Sequence, residues 1–219
     1  MTINPKTYAG LDDLGRVALS DNFFFREFLY SEVAAHYGVQ NIPSDCELAI
    51  EAGRGLSQKL LEPLNATFGR IVIRSGYRSR ELNDLCNEKK HNCGSSESNR
   101  ARHIWDERDR DGRMGACATV LIPWFVQRHE RGETNWQAMA WWVHDHLPYS
   151  HLRFFMNGTF NLTWSDRPVR HAEAKFGAKG AARNLATEEA ESAPGLHGAA
   201  YPGFPEFRAA TGTPSSRDD

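Results

Sequence analysis

The run Ile71-Val-Ile-Arg-Ser-Gly-Tyr-Arg-Ser79 most constrains how this chain folds. Its β-branched start reads as a buried strand, and Gly76 turns the chain at its end. The strand brings Ser75, Tyr77 and Arg78 to one spot. Two hydroxyls and a guanidinium suit a carboxylate, because the planar fork of arginine donates two parallel hydrogen bonds to it. A structural salt bridge at a strand end is the competing reading of Arg78.

The elements around this strand are legible from periodicity. Ser44 and Glu47 form a capping box beside Pro43, and Leu48, Ala52, Leu56, Leu60 and Leu64 follow at every fourth residue. That stripe predicts a buried helix, loosened or ended by Pro63. Residues 23–36 predict a helix with Gly38 as its stop. Residues 117–122 predict a buried strand with Pro123 at its end. Residues 135–146 predict a helix with Trp136, Met139, Ala140, Val143 and Leu147 on one face. Residues 151–155 and 160–164 predict a hairpin. The fold class is α+β, a small, mainly antiparallel sheet with helices packed on it.

Residues 84–113 form a polar excursion between these elements, and so long a loop is usually functional. Residues 1–18 read as a polar lead-in, 19–177 as the folded domain, and 178–219 as a disordered tail rich in Ala, Gly, Pro, Ser and Glu. Removing everything after Gly177 is expected to leave the melting temperature unchanged. The apolar patch at 201–207 is the one part of the tail suited to docking.

Composition removes several classes. With 219 residues, 40% hydrophobic and 25% charged, the chain has a globular profile. A net charge of −2 argues against a broad nucleic-acid surface. No apolar run is long enough for a membrane span, and the first residues lack an apolar signal core. A cytoplasmic location is the expectation, with release by a phage-type or other non-signal route if the target lies outside. Cys46, Cys86, Cys93 and Cys117 are then expected as thiols, with zinc binding by Cys86, His91 and Cys93 as the alternative.

Several separated motifs share an order with one known family. They are Leu19-Ser-Asp-Asn-Phe23, Glu27-Phe28, Ser31, Asn41-Ile-Pro43, Leu61-Glu-Pro-Leu64, Phe68-Gly69, then Ser75-Gly-Tyr-Arg-Ser79 and Asn83. Over residues 19–166 the chain resembles the zinc D-alanyl-D-alanine carboxypeptidases, of the Hedgehog/DD-peptidase fold. The resemblance implies that Arg78 holds the terminal carboxylate of a peptidoglycan-type stem peptide. It also implies a zinc site built from His-x-x-Gly-x-Ala-x-Asp and Glu-x-x-Trp-x-His, in which the Glu activates the metal-bound water.

Here the chain departs from the pattern. His103 matches the first ligand, but the glycine due three positions later is Gly115, twelve positions on, after an acidic insertion. Thr119 stands at the aspartate ligand, Phe155 stands at the catalytic glutamate, and residues 160–166 contain no histidine. Trp142-Val-His144 imitates the last motif from the wrong element. A rearranged zinc site would take His103, His151 and an acid from Asp106, Asp109 or Asp111. Two function classes follow from the resemblance: a zinc-dependent D,D-peptidase, and a degenerate relative that binds a peptide carboxylate or a partner protein without cleavage.

Other constellations carry less. Glu107-x-Asp109-x-Asp111-Gly112 opens like a calcium loop, yet Ala118 stands where a bidentate glutamate is required. Trp136, Trp141 and Trp142 suit core packing better than ligand stacking. No nucleophile elbow accompanies Asp145 and His146.

Overall fold

The computed structural model describes residues 3–174, 183–184 and 193–209. Nine α-helices and six strands occur among them. They are α1 (Tyr8–Arg16), α2 (Arg26–Leu29), α3 (Glu32–Tyr37), α4 (Cys46–Leu56), α5 (Glu62–Phe68), β1 (Val72–Ser75), α6 (Arg80–Glu88), α7 (Ser96–Asn99), β2 (Gly115–Leu121), α8 (Pro123–Glu130), α9 (Trp136–His146), β3 (His151–Phe154), β4 (Phe160–Ser165), β5 (His171–Ala174) and β6 (Arg183–Asn184). The strands form one mixed sheet in the order β1-β2-β4-β3-β5-β6. All neighbouring pairs are antiparallel except β3 with β5. The expected α+β class and mainly antiparallel sheet are therefore present.

Side-chain alternation divides this sheet into two faces. Even-numbered residues Ala116, Ala118, Val120, Leu152, Phe154, Phe160, Leu162, Ala172 and Ala174 are buried in the hydrophobic core. The odd positions opposite them are mostly polar: Thr119, His151, Arg153, Asn161, Thr163, His171 and Glu173. The helices cover the first face, and the polar face is left to carry chemistry.

The leucine stripe lies in this core, with Ala52, Leu56, Leu60 and Leu64 all at 0% exposure. Its helix runs through Pro63, because a π-helical stretch (Ser57–Leu61) separates α4 from α5 and puts the proline in the first turn of α5. The missing proline N–H is harmless there. The cap sits one residue later than expected: Asp45 accepts the Leu48 amide at 3.0 Å, while Ser44 is engaged elsewhere. The helix predicted over 23–36 is split into α2 and α3. Ser31 supplies the second N-cap by accepting the Ala34 amide at 3.4 Å, and Gly38 ends α3 in the left-handed conformation at φ 67°.

Three further expectations need correction. The lead-in forms α1, with Leu14 fully buried. The polar excursion contains α7, the end of α6, and a disulfide between Cys86 and Cys93, so these two are neither thiols nor zinc ligands. Residues 193–209, assigned to a disordered tail, lie against α9 and α5; the remainder of 178–219 falls outside the described residues apart from β6.

The Asp145 carboxylate anchors this segment. It accepts from the amides of Gly195 (2.8 Å) and His197 (2.9 Å), from His197 Nδ1 (2.7 Å) and from the Tyr201 hydroxyl (2.8 Å). Burial alone raises its pKa, but these donors outweigh burial and hold it below the usual range. His197 stacks on Trp141 at 3.9 Å, and Phe204 packs edge-on to Phe68 and Trp124. Asp145→Ala is expected to lower stability by about 1.5–3 kcal/mol, the range for hydrogen bonds to a charged group, and to expose residues 193–209 to protease. Urea titration with limited proteolysis checks this; unchanged stability and cleavage would show the anchor to be dispensable.

Candidate functional site

The polar face of the sheet forms the floor of a cleft of about 880 Å³. Its lining includes Cys117 and Thr119 of β2, His151 and Arg153 of β3, Asn161 and Thr163 of β4, and His171 and Glu173 of β5. Ser75, Arg78, Arg102 and His103 form one wall, and residues 92–94 of the disulfide loop form part of the rim. A second cleft of about 480 Å³ adjoins it and shares Ser98, Arg102, His151 and Thr163.

The strand-turn sequence is positioned as its chemistry requires. A register shift between Ile73 and Ser75 sets Ser75 opposite Thr119 and so toward the cleft. A side chain at Gly76 would lie 2.7 Å from Phe28 Cβ, so only glycine lets the turn pack. Asn41 clamps the following residues: its amide donates to the carbonyls of Leu29 (2.8 Å) and Tyr77 (2.9 Å), and its oxygen accepts the Ser79 amide at 2.8 Å. The Arg78 amide donates to His103 O at 2.7 Å, and His103 Nδ1 donates to Gly76 O at 2.9 Å. The turn and His103 are thus one rigid unit. The imidazole proton sits on Nδ1, which leaves Nε2 a lone-pair acceptor.

Of the three expected carboxylate-binding residues, Ser75 and Arg78 line the cleft and Tyr77 does not. Tyr77 alternates to the other side and is 1% exposed, against Phe25 and Trp105. Its hydroxyl lies near Asp106, and burial together with that carboxylate raises its pKa and keeps the phenol protonated. Arg78 is half-buried and donates to Asn83 Oδ1 at 2.9 Å. No carboxylate among the described residues pairs with it, and burial lowers its pKa from the ordinary arginine value. A buried cation without a counter-ion is costly, so a ligand anion is the natural partner.

The expected zinc donors do not converge. His103 and His151 line the cleft, both neutral, with pKa values pushed down to about 3. Burial is the main cause for each, followed by Arg78 for His103 and Arg102 for His151. Asp106 points to the α4 side, where it accepts from Ser44 N and Ser44 Oγ, each at 2.8 Å. Asp109 closes its own loop by accepting the amides of Asp111 (2.9 Å) and Arg113 (2.8 Å). Asp111 pairs with Arg113 at 3.1 Å. No group of three His, Cys, Asp or Glu side chains among the described residues is arranged to hold a metal. Thr119 and Phe155, at the two family positions, do line the cleft; Thr119 donates to Asn161 Oδ1 at 2.6 Å. His144 is buried against the Tyr149 hydroxyl at 2.8 Å, far in character from a ligand. The residues present do not fit the zinc site of the resemblance.

Sequence reasoning did not single out Arg102, Arg153, Asn161, His171 or Glu173. The alternation of polar and apolar residues along β3, β4 and β5 was the available signal for four of them. No family model, curated protein or solved structure matches this chain.

Proposed function

We propose that this cleft binds the free carboxylate of a peptide, of the kind that ends peptidoglycan stem peptides, and holds it without cleavage. The carrying observation is Arg78, a half-buried guanidinium whose one side-chain hydrogen bond among the described residues goes to neutral Asn83. Ser75 beside it adds a hydroxyl, and the turn is fixed in advance by Asn41 and His103. Rigid donors bind more tightly because little ordering remains to be done on association. The resemblance to D-alanyl-D-alanine carboxypeptidases supports the carboxylate reading through Arg78, and Ser75, His103, Thr119 and Phe155 share the cleft as that alignment requires. Thr119 and Phe155 supply neither a metal-ligating carboxylate nor a base, which favours the binding class over the peptidase class.

No helix among the described residues is long and apolar enough to cross a membrane. The Cys86–Cys93 disulfide suits an oxidising setting, and peptidoglycan lies in one. It favours action after release by a phage-type or other route over retention in the cytoplasm.

Arg78→Ala is expected to weaken binding of a D-alanine-terminated peptide by about ten- to a hundred-fold, the worth of a charge-assisted pair. Arg78→Lys recovers only part, because an ammonium lacks the planar fork. Melting temperature stays level or rises in both variants, since the guanidinium is held at a desolvation cost. Calorimetric titration with thermal melts reads both quantities. A stable Arg78→Ala variant with unaltered affinity would remove the proposal. One zinc per chain in protein purified without chelator, lost in His103→Ala, would move the assignment to the peptidase class.

A further inference from the structure

Arg102 is a second guanidinium without an anionic partner among the described residues, and it lines the same cleft as Arg78. It is the one arginine among the described residues that lines both clefts. Its neighbours are engaged: Arg100 with Glu97 and Glu107, Arg113 with Asp109 and Asp111, Arg153 with Glu173. The side chain of Arg102 makes no hydrogen bond or ion pair among the described residues. Glu173, the one carboxylate among the described residues that lines the larger cleft, is taken by Arg153. Among the described residues, two cations therefore face this space without compensation, in a chain whose net charge is −2.

The backbone is built to hold Arg102 where it is. Ala101 before it adopts the left-handed conformation at φ 51°, which residues with a Cβ adopt at a cost. Its amide donates to both Ile104 O (3.0 Å) and Glu107 O (2.9 Å). Gly115 passes so close that a Cβ there would lie 2.4 Å from Ala101 O. Arg102 itself is pinned by N–H to Asn99 O (3.0 Å) and by Cys117 N–H to its carbonyl (2.9 Å). Strain held by so many contacts, next to a cation with no ion pair among the described residues on a cleft wall, marks a position shaped for a ligand. Arg78 and Arg102 both line the larger cleft together with His103 and Cys117.

We infer that Arg102 is a second anion subsite and that the ligand is a peptide with two carboxylates. Its terminal carboxylate meets Arg78, and an acidic side chain one or two residues before the terminus meets Arg102 at the junction of the clefts. This rests on the reading of Arg78 as the terminal-carboxylate site, and adds a preference to it. His103 and His151 line the same cleft without competing charge, and His103 Nε2 can accept a peptide N–H of the ligand.

The test uses the full chain and N-acetylated tetrapeptides ending in D-alanine, with Glu or Gln at the second or third position from the terminus. Calorimetry is expected to show at least one Glu peptide binding about ten-fold more tightly than its Gln counterpart. Arg102→Gln should erase that preference while leaving the Gln peptides unchanged, and Arg102→Lys should restore part of it. Arg78→Ala should weaken Glu and Gln peptides alike and keep the preference. If the wild type binds Glu and Gln peptides equally, the second subsite is overturned and the Arg78 site stands. If it binds none of them, both readings fall. The wild-type comparison decides the matter even where a variant does not fold.

Discussion

Lowering the pH from 7 to 5 is expected to destabilise this protein by about 2 kcal/mol through His103 alone, before carboxylates titrate appreciably. His103 is 6% exposed, and its folded pKa lies at about 3, below the ordinary value of 6.5. Burial is the chief cause, with the Arg78 charge adding to it; the hydrogen bond to Gly76 O opposes both. The unfolded chain therefore binds a proton in this window that the folded chain refuses. Stability is fully present above the unfolded pKa and is lost as pH falls from about 6.5 toward 3. His151 contributes with the same sign, since its pKa is also lowered to about 3. Urea unfolding at pH 7 and pH 5 measures the difference. His103→Gln keeps the donor to Gly76 O and removes the titration, so its slope with pH should be shallower. Equal stability of the wild type at the two pH values would show that His103 accepts its proton in place.

The sequence made legible what repeats along an element. The stripe of Ala52, Leu56, Leu60 and Leu64 announced a buried helix, and the alternation around residues 151–164 announced a hairpin; both are present. The turn at Ser75 and Arg78 was legible because glycine, hydroxyls and arginine fall within a few residues. What escaped depends on long-range partners. Tyr77 was grouped with the cleft, although packing against Phe25 and Trp105 takes its ring inward. Asp106 was grouped with the metal donors, although Ser44, 62 positions away, claims it. The segment at 193–209 looked too polar to order itself. It does not have to, because Asp145 supplies one acceptor for four donors and α9 supplies the apolar face. β5 pairs in parallel with β3, a contact that no hairpin pattern signals. The disulfide was set aside on grounds of compartment, an argument external to the fold.

Trp105→Ala is expected to cost about 3–5 kcal/mol, the range for removing a large buried aromatic side chain. Sequence analysis placed Trp105 inside a polar excursion, yet it is 0% exposed and central to the aromatic core. Its ring meets Phe28 at 5.2 Å, Phe25 at 5.9 Å and Tyr77 at 6.1 Å. Gly53 of α4 is small because of it: a Cβ there would sit 3.0 Å from the indole. The indole N–H donates to Cys117 O at 3.2 Å, which ties the stretch after Arg102 and His103 to β2. Removal opens a cavity that rigid neighbours on the helix, the sheet and the Tyr77 turn cannot close. A loss of this size is a large share of the stability of an ordinary domain, about 5–15 kcal/mol. Because Trp105 holds the residues that set the cleft wall, peptide binding should weaken in the same variant at temperatures where it remains folded. Trp105→Phe keeps most of the ring contact and loses the donor, so it should cost less and retain binding. Equilibrium unfolding in urea and peptide titration of both variants check this. A cost below about 1 kcal/mol for Trp105→Ala would mean that the core closes around the gap, and that the cleft wall is held by the backbone hydrogen bonds of Arg78, Ala101 and Arg102 instead.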